Sequence, residues 1–430
     1  KKNHFSLTRR SALLLKGMCE QESPIIFPDE KIAFVRTIKT LPPYYDNDDL
    51  LAEYHTLDGK VFYAANNICI DYNLILSEGL LKRHEIAQNN LKGASAEEKD
   101  FLESVIIAID AVLDLAERYE KEAEKVGNRK LAQVLHSVPR NPAKSFHEAL
   151  QAIRFVSAMF YLAGNYQIGF GRLDQYLYPF YKNDLENETL TRDEAKELLA
   201  EFFISLNRDS DLYFGVQQGD NGQSVMLGGV KSDGTSAVND LTYLTLEVSC
   251  ELKLIDPKIN LRIDKNTPQD LLELGCKLTR EGLGFPQYSN DEVVIPALVK
   301  HGYTLEDARN YTVAACWEFI IPGKAMDIVN VGALNFPGAV HDAFNSLDDK
   351  NLTIESLKSA IKVKTAEQVR NILEKRQIML LPAPFVSAFM NGALESKADA
   401  TESAKYKNIG IHGAGIANGA DEFVVIKRLI

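Results

Sequence analysis

The segment Tyr311–Gly323, YTVAACWEFIIPG, is almost wholly apolar, yet it carries one thiol, Cys316, and one carboxylate, Glu318. In extended backbone, positions i and i+2 project to the same side, so the two side chains are expected to share one space. A carboxylate in such a run is costly unless it is hydrogen-bonded or protonated. A thiol set beside a carboxylate acid/base is one chemistry that this spacing serves. The plainer alternative is a buried cysteine beside a glutamate that pairs with a neighbouring helix. From this segment alone the two readings stand level.

Two other stretches carry candidate chemistry. In Asn165–Tyr181, NYQIGFGRLDQYLYPFY, glycines bend the backbone, and Arg172 and Asp174 flank Leu173. An Arg–Asp pair of this kind is read as structural for Arg172 and left open for Asp174. In Gly222–Gly229, GQSVMLGG, the glycine pair resembles a phosphate loop, but no G-K-[ST] follows, which rejects a Walker site. A strand ending in a turn fits that stretch better. The histidines are scattered and no H-E-x-x-H occurs. The cysteines, Cys19, Cys69, Cys250, Cys276 and Cys316, are odd in number and widely spaced without a C-x-x-C, so neither a disulfide framework nor a zinc knuckle is expected and no metal is assigned.

The chain has 430 residues, 45% of them apolar and 25% charged, with a net charge of −12. Acidity on this scale argues against nucleic acid or an anionic membrane as a partner, since both need a basic footprint. No apolar run approaches the ~18 residues of a membrane span, and Ser11–Gly17 lacks a signal-peptide cleavage pattern. A cytoplasmic protein is expected.

The elements that must position the chemistry can be outlined from periodicity and caps. The first ~130 residues read as helical, with Phe101–Val126 at helical spacing. Ser145/Glu148 and Thr191/Glu194 read as capping boxes ahead of helices over Phe146–Ala163 and Ala195–Leu206. Thr267-Pro268 opens another helix with Gly282 as its stop, and Thr304/Asp307 a short one. Strands are expected at Ser224–Leu227, Ile259–Ile263, Tyr311–Ile321 and Phe423–Ile426, and loops at Asp46–Asp49 and Asn345–Asn351. Helices alternating with buried strands indicate an α/β fold.

An ordered series of segments then resembles the glycyl radical enzymes, the pyruvate formate-lyase-like family. PAKSFHEAL at Pro142–Leu150 is similar to the family's P-A-x-[ST]-F-x-E-A, and GRLDQYLY at Gly171–Tyr178 to G-R-[FL]-D-Q-Y. Gln223–Gly229 with Asn239–Leu241, LRIDKNTP at Leu261–Pro268, and PQYSNDEVVIP at Pro286–Pro296 follow in family order. Next come the loop Ala315–Glu318, then Pro384–Ala388 and GAGIANGAD at Gly413–Asp421. The likeness runs from about Phe5 to the last residue.

The resemblance implies an incomplete part of a ten-stranded α/β barrel. A mainly helical region is expected over 1–140 and the barrel part carrying the cysteine loop over 141–430. In this family a loop-tip cysteine becomes a thiyl radical, and Cys316 matches it. The lyases acting on glycerol, diols, choline, isethionate and hydroxyproline carry G-C-V-E with the glutamate as acid/base, and Glu318 matches that residue. A single cysteine here, followed by Trp317, disfavours acyl transfer through a cysteine pair. Ala315, Trp317 and Phe319 replace the usual glycine, valine and proline. Tyr166 and Asp174 match positions near the pocket of choline-type lyases, and Phe214, Gln218 and Ser224 are further candidate substrate contacts.

The family's glycyl radical motif, R-V-[AS]-G-[YF], does not occur in this sequence. The resemblance therefore implies that the radical domain is supplied by a missing C-terminal part or a separate polypeptide. A radical-SAM activating enzyme would install the radical, no cofactor is bound in this chain, and the chain alone is expected to be inert. A homodimer is compatible with this picture. The competing readings are a radical arylacetate decarboxylase or carbon–carbon lyase, and an inactive scaffold.

Overall fold

The computed structural model describes residues 4–38, 60–208, 221–348, 350–374 and 377–430. Its strands are β1 (Lys60–Tyr63), β2 (Ser224–Gly228), β3 (Lys258–Ile263), β4 (Gln287–Asn290), β5 (Thr312–Ala314), β6 (Glu318–Ile320), β7 (Ala333–Asn335), β8 (Gln377–Leu380) and β9 (His412–Ala414). The chain divides into two compact units: Lys1–Tyr44, Ala64–Met326 and Leu381–Tyr406 in the first, and Tyr45–Tyr63, Asp327–Leu380 and Lys407–Ile430 in the second. Among the described residues no helix is long and apolar enough to cross a membrane.

In the first unit, β2, β3 and β4 form a parallel sheet in that order. Parallel neighbours need a crossover between them. The helices Asp240–Leu252 and Gln269–Arg280 supply those crossovers, one after β2 and one after β3. Every residue of β2 is buried, as expected of a strand covered on both faces. Gly171 bridges to Val225 in parallel, extending the sheet past β2.

Helices dominate the described residues of the N-terminal region, which also includes the short strand β1. The long helix Ala96–Lys125 opens on a capping box of Ser95 and Glu98 and buries one stripe, including Phe101, Val105, Ile109, Val112 and Tyr119. The helix Phe146–Leu162 is rich in apolar residues and buried at every position but Glu148, as a helix apolar on most of its faces must be. Its Arg154 is buried: Nη2 donates to the Phe34 carbonyl at 2.9 Å, and the guanidinium lies 5.3 Å from the Phe34 ring centre. Phe34, Tyr119 and Phe155 pack ring against ring around it.

In the second unit, β1 pairs with β8 and β7 with β9, both in parallel. The helices Phe336–Asn345, Ile354–Glu374 and Ile416–Leu429 belong to this unit.

Three expectations need correction. Tyr311–Ile321 is not one strand. It is a hairpin in which β5 and β6 run antiparallel around a turn at Ala315–Trp317. Phe423–Ile426 is not a strand but the last half of the helix Ile416–Leu429, in which Phe423 and Ile426 are half-buried at i, i+3 spacing. Its β-branched run satisfies both periodicities, and docking decides between them. At Ser145, the hydroxyl accepts from the Glu148 N–H, but the Glu148 carboxylate takes the Lys144 N–H rather than closing a box. Thr191 and Glu194 do form a complete box. Asp46–Asp49 lies outside the described residues.

The base of the hairpin is fixed by one buried ion pair. Arg262 of β3 meets Asp291 through Nε and Nη2 at 2.8 and 2.9 Å, and both side chains are buried. The remaining Nη1 of Arg262 donates to the carbonyls of Arg309 and Tyr311, the residues that lead into β5. The Tyr311 ring lies under the guanidinium, 4.1 Å from centroid to Cζ, and its hydroxyl donates to Asp291 at 2.8 Å. Gly229 is required beside this pair: its φ is +75°, and a Cβ there would stand 2.4 Å from Arg262 Nε. Removing one partner of a buried pair strands the other charge. Asp291→Ala is therefore expected to lose roughly 3–5 kcal/mol of stability in urea unfolding, and Tyr311→Phe about 1 kcal/mol. Equal, small losses in both variants would contradict the anchoring role.

Candidate active site

The hairpin places Cys316 at its tip. Ala314 faces Glu318 across the ladder, Val313 faces Phe319 and Thr312 faces Ile320, so Ala315, Cys316 and Trp317 make the turn. Ala315 takes φ +51°, in the left-handed region that costs a residue bearing Cβ roughly 1–2 kcal/mol. This is the position where the resemblance has a glycine. The whole of β5 is buried, whereas Trp317 is 72% exposed and Cys316 half-buried.

The Glu318 carboxylate reaches the backbone of Cys316, by a different geometry from a straight strand. The Glu318 side chain folds back over the turn. Its Oε2 accepts from the backbone N–H of Cys316 at 2.9 Å and of Trp317 at 3.0 Å. Its Oε1 accepts from Asn67 Nδ2 at 3.4 Å. The carboxylate in this apolar run is thus held by hydrogen bonds, one of the two conditions its placement demanded.

The loop rests on two other segments. Gly169 supports β5 from below: a Cβ there would lie 3.1 Å from the Val313 carbonyl and 3.4 Å from Ala314 Cα. The buried Ser224 hydroxyl donates to the Ala315 carbonyl. Ser224, expected as a substrate contact, therefore holds the turn that presents Cys316. Asn67, which no motif had singled out, is 6% exposed and has φ +57°. This buried amide aimed at the carboxylate makes Asn67 a further candidate residue of the site. Its only sequence signal is the Asn66-Asn67 pair, and asparagine tolerates the left-handed region.

The other candidates separate. Asp174 is fully buried and spans from its short helix to the sheet: Oδ2 accepts from the Gly228 N–H at 2.8 Å and the Thr242 hydroxyl at 2.6 Å. Burial pushes its pKa up, and those two hydrogen bonds oppose the shift. Arg172 does not bond Asp174 directly in this arrangement but grips the other side of the same residue, its Nη2 donating to the Gly228 carbonyl at 3.0 Å. Burial, and then the neighbouring Arg262, bring its pKa down to about 10. Together the two side chains clamp the turn that ends β2. Tyr166 is half-buried, donates its N–H to Asn66 Oδ1 at 2.7 Å and packs edge-on against Tyr161. Burial raises its phenol pKa against the pull of Arg36. Phe214 and Gln218 lie outside the described residues.

A cavity of about 450 Å³ opens at the base of the hairpin, lined among others by Cys69, Asp71, Gln175, Asn310, Lys324 and Asn391. Cys316 is not part of it. The remaining cysteines look structural or remote: burial raises the thiol pKa of Cys19, Cys69 and Cys250, and Cys276 is exposed on another helix. Among the described residues no cluster of His, Cys, Asp or Glu is arranged to hold a metal.

The sequence profile described as pyruvate formate lyase-like matches residues 43–430. The chain belongs to this family, the glycyl radical enzymes. It is 29% identical over 415 residues to (2S)-3-sulfopropanediol dehydratase of Klebsiella oxytoca, covering 86% of this chain and 50% of that protein. It is 29% identical over 323 residues to isethionate sulfite-lyase of Nitratidesulfovibrio vulgaris, covering 69% of this chain and 39% of that one. The glycerol-bound B12-independent glycerol dehydratase of Clostridium butyricum superposes with a TM-score of 0.84 at 26% identity, over 100% of this chain and 67% of that one. The fold is thus a partial glycyl radical enzyme barrel with a helical N-terminal region, and the chain spans about half or less of these two curated relatives' length.

Ser224→Ala is expected to loosen the tip without unfolding the barrel, at a cost of about 1 kcal/mol. Trp317 is the single tryptophan of the chain, so fluorescence anisotropy reads the loop directly. Faster depolarisation and faster alkylation of Cys316, mapped by peptide mass, are the expected outcomes. Unchanged values for both would show that Ser224 does not hold the turn.

Proposed function

We propose that this chain is the thiyl-bearing component of a glycyl radical lyase, eliminating water, an amine or sulfite from a small hydroxylated substrate. The observation that carries this reading is the hairpin tip, where the half-buried Cys316 sits on the turn and the Glu318 carboxylate, two residues on, is held on the backbone N–H of that same cysteine. The relatives' names, two dehydratases and a sulfite-lyase, supply the reaction class.

The chemistry assigned to each group is as follows. A glycyl radical, carried on a further segment or a separate polypeptide and installed by a radical-SAM activating enzyme, supplies the means to take the hydrogen atom from Cys316 Sγ. The thiyl at Sγ then removes hydrogen from the substrate carbon that bears the hydroxyl. Glu318 accepts the hydroxyl proton, and the resulting ketyl expels the leaving group with its bonding electrons from the adjacent carbon. The proton on Glu318 passes to the leaving group, giving water, a protonated amine or hydrogensulfite and regenerating the carboxylate. The product radical recovers hydrogen from Cys316, which restores the thiyl and releases an aldehyde or ketone. Both reacting side chains must touch adjacent substrate atoms, and their common placement on the turn provides this.

Trp317 is exposed in this chain, so exclusion of water from the tip is assigned to the segment or polypeptide that carries the radical. With that component present and activated anaerobically, Cys316→Ser is expected to abolish carbonyl product formation. Glu318→Gln is expected to lower kcat by roughly 10²–10⁴-fold, the range of general acid–base catalysis. Turnover by Cys316→Ser would overturn the assignment. Carbon dioxide release from an arylacetate, without carbonyl formation from hydroxylated substrates, would replace it with a radical decarboxylase. Inertness of the wild-type protein with its radical-bearing component would leave a scaffold.

A further inference from the structure

The Glu318 carboxylate shows what the hairpin tip can bind. Two consecutive backbone N–H groups, those of Cys316 and Trp317, converge on one oxygen at 2.9 and 3.0 Å, and Asn67 Nδ2 reaches the other at 3.4 Å. Consecutive N–H groups beside a left-handed residue, here Ala315 at φ +51°, form a concavity for anions. Asn67 is itself held in a left-handed conformation and is 6% exposed, so the third donor is built in rather than a flexible surface side chain. These donors serve one oxyanion at a time, and the oxyanion seated there is the residue that our functional reading needs as a base.

We infer that the three donors formed by the Cys316 and Trp317 N–H groups and Asn67 Nδ2 are a substrate subsite for a carboxylate or sulfonate, whose arrival displaces Glu318 and frees it to take the hydroxyl proton. This inference rests on the reading of Glu318 as acid/base and sharpens it into a substrate class. Hydroxylated carboxylates and sulfonates release the base as they bind. Neutral polyols leave it on the turn. The tip then selects its substrate by exchange of one anion for another on the same donors.

Because Trp317 is the only tryptophan in the sequence, labelling with [15N]tryptophan gives one backbone amide signal, and that amide is one of the three donors. The probe is methanesulfonate, with dimethyl sulfone as its neutral counterpart and chloride as the ionic-strength control. A carboxylate tethered beside its site competes at an effective concentration of about millimolar or more. In Glu318→Ala, methanesulfonate is expected to move the Trp317 amide saturably, with an apparent Kd at least tenfold lower than in the wild-type chain. Dimethyl sulfone and chloride at matched concentration should leave it in place. If the alanine variant does not fold, Glu318→Gln serves, with an expected Kd between the other two.

An amide that stays still in the Glu318 variant, or that moves equally with dimethyl sulfone, overturns the inference. The experiment needs no radical and no turnover, so its failure is separate from failure of the thiyl assignment, which the Cys316→Ser assay decides.

Discussion

The buried pair of Arg262 and Asp291 is the constraint on which the candidate site depends. Taking two charges out of water costs several kcal/mol per ion, and only near-complete hydrogen bonding offsets it. Here the guanidinium uses all three of its nitrogens: two bonds to Asp291, one nitrogen shared between two carbonyls, and a tyrosine ring beneath. Those carbonyls belong to the residues entering β5. The same contacts that make the pair tolerable in the core therefore aim the hairpin, and the hairpin carries the thiol. A buried ion pair is weak ground for stability in general, but this one specifies where a loop begins.

Rigidity at the base contrasts with the tip. The turn is held by light contacts: the Ser224 hydroxyl on one carbonyl, the Glu318 carboxylate on two amides, and Asn67 on that carboxylate. Each can be exchanged for a contact to a ligand without disturbing the sheet. A thiol that must meet a donor on one side and a substrate on the other is served by such a division, with the backbone path fixed and the last polar contacts replaceable. The left-handed φ values of Ala315 and Asn67 sit at this boundary, and at Ala315 the conformation is strained, as local backbone at functional sites commonly is.

Much of this was legible in the sequence, and for physical reasons. Capping residues and 3.6-residue periodicity mark the helices because orphan N–H groups and apolar faces must be satisfied locally. The buried runs of β2 and β3 mark a parallel sheet. The ordered segments around Cys316 mark the family, whose profile matches residues 43–430. What sequence could not reach were contacts made by residues far apart in the chain. Asn67 meets Glu318 across 251 positions and Ser224 meets Ala315 across 91. Neither carries a local pattern. The hairpin within Tyr311–Ile321 was hidden because its turn, Ala-Cys-Trp, lacks the Gly, Asn or Asp that turns usually show. The strand expected at Phe423–Ile426 failed because a short β-branched run fits helix and strand alike until its docking partner is known.

The central claim is that the Cys316 thiol exchanges hydrogen with the family's glycyl radical, and electron paramagnetic resonance tests it without any substrate. A glycyl radical shows a doublet from its α-hydrogen. If Cys316 relays hydrogen between solvent and that carbon, the doublet collapses to a singlet when the activated, radical-bearing assembly is transferred to D2O. The account predicts collapse with the wild-type chain and a persistent doublet with Cys316→Ser. The same rate of collapse in both proteins would contradict it.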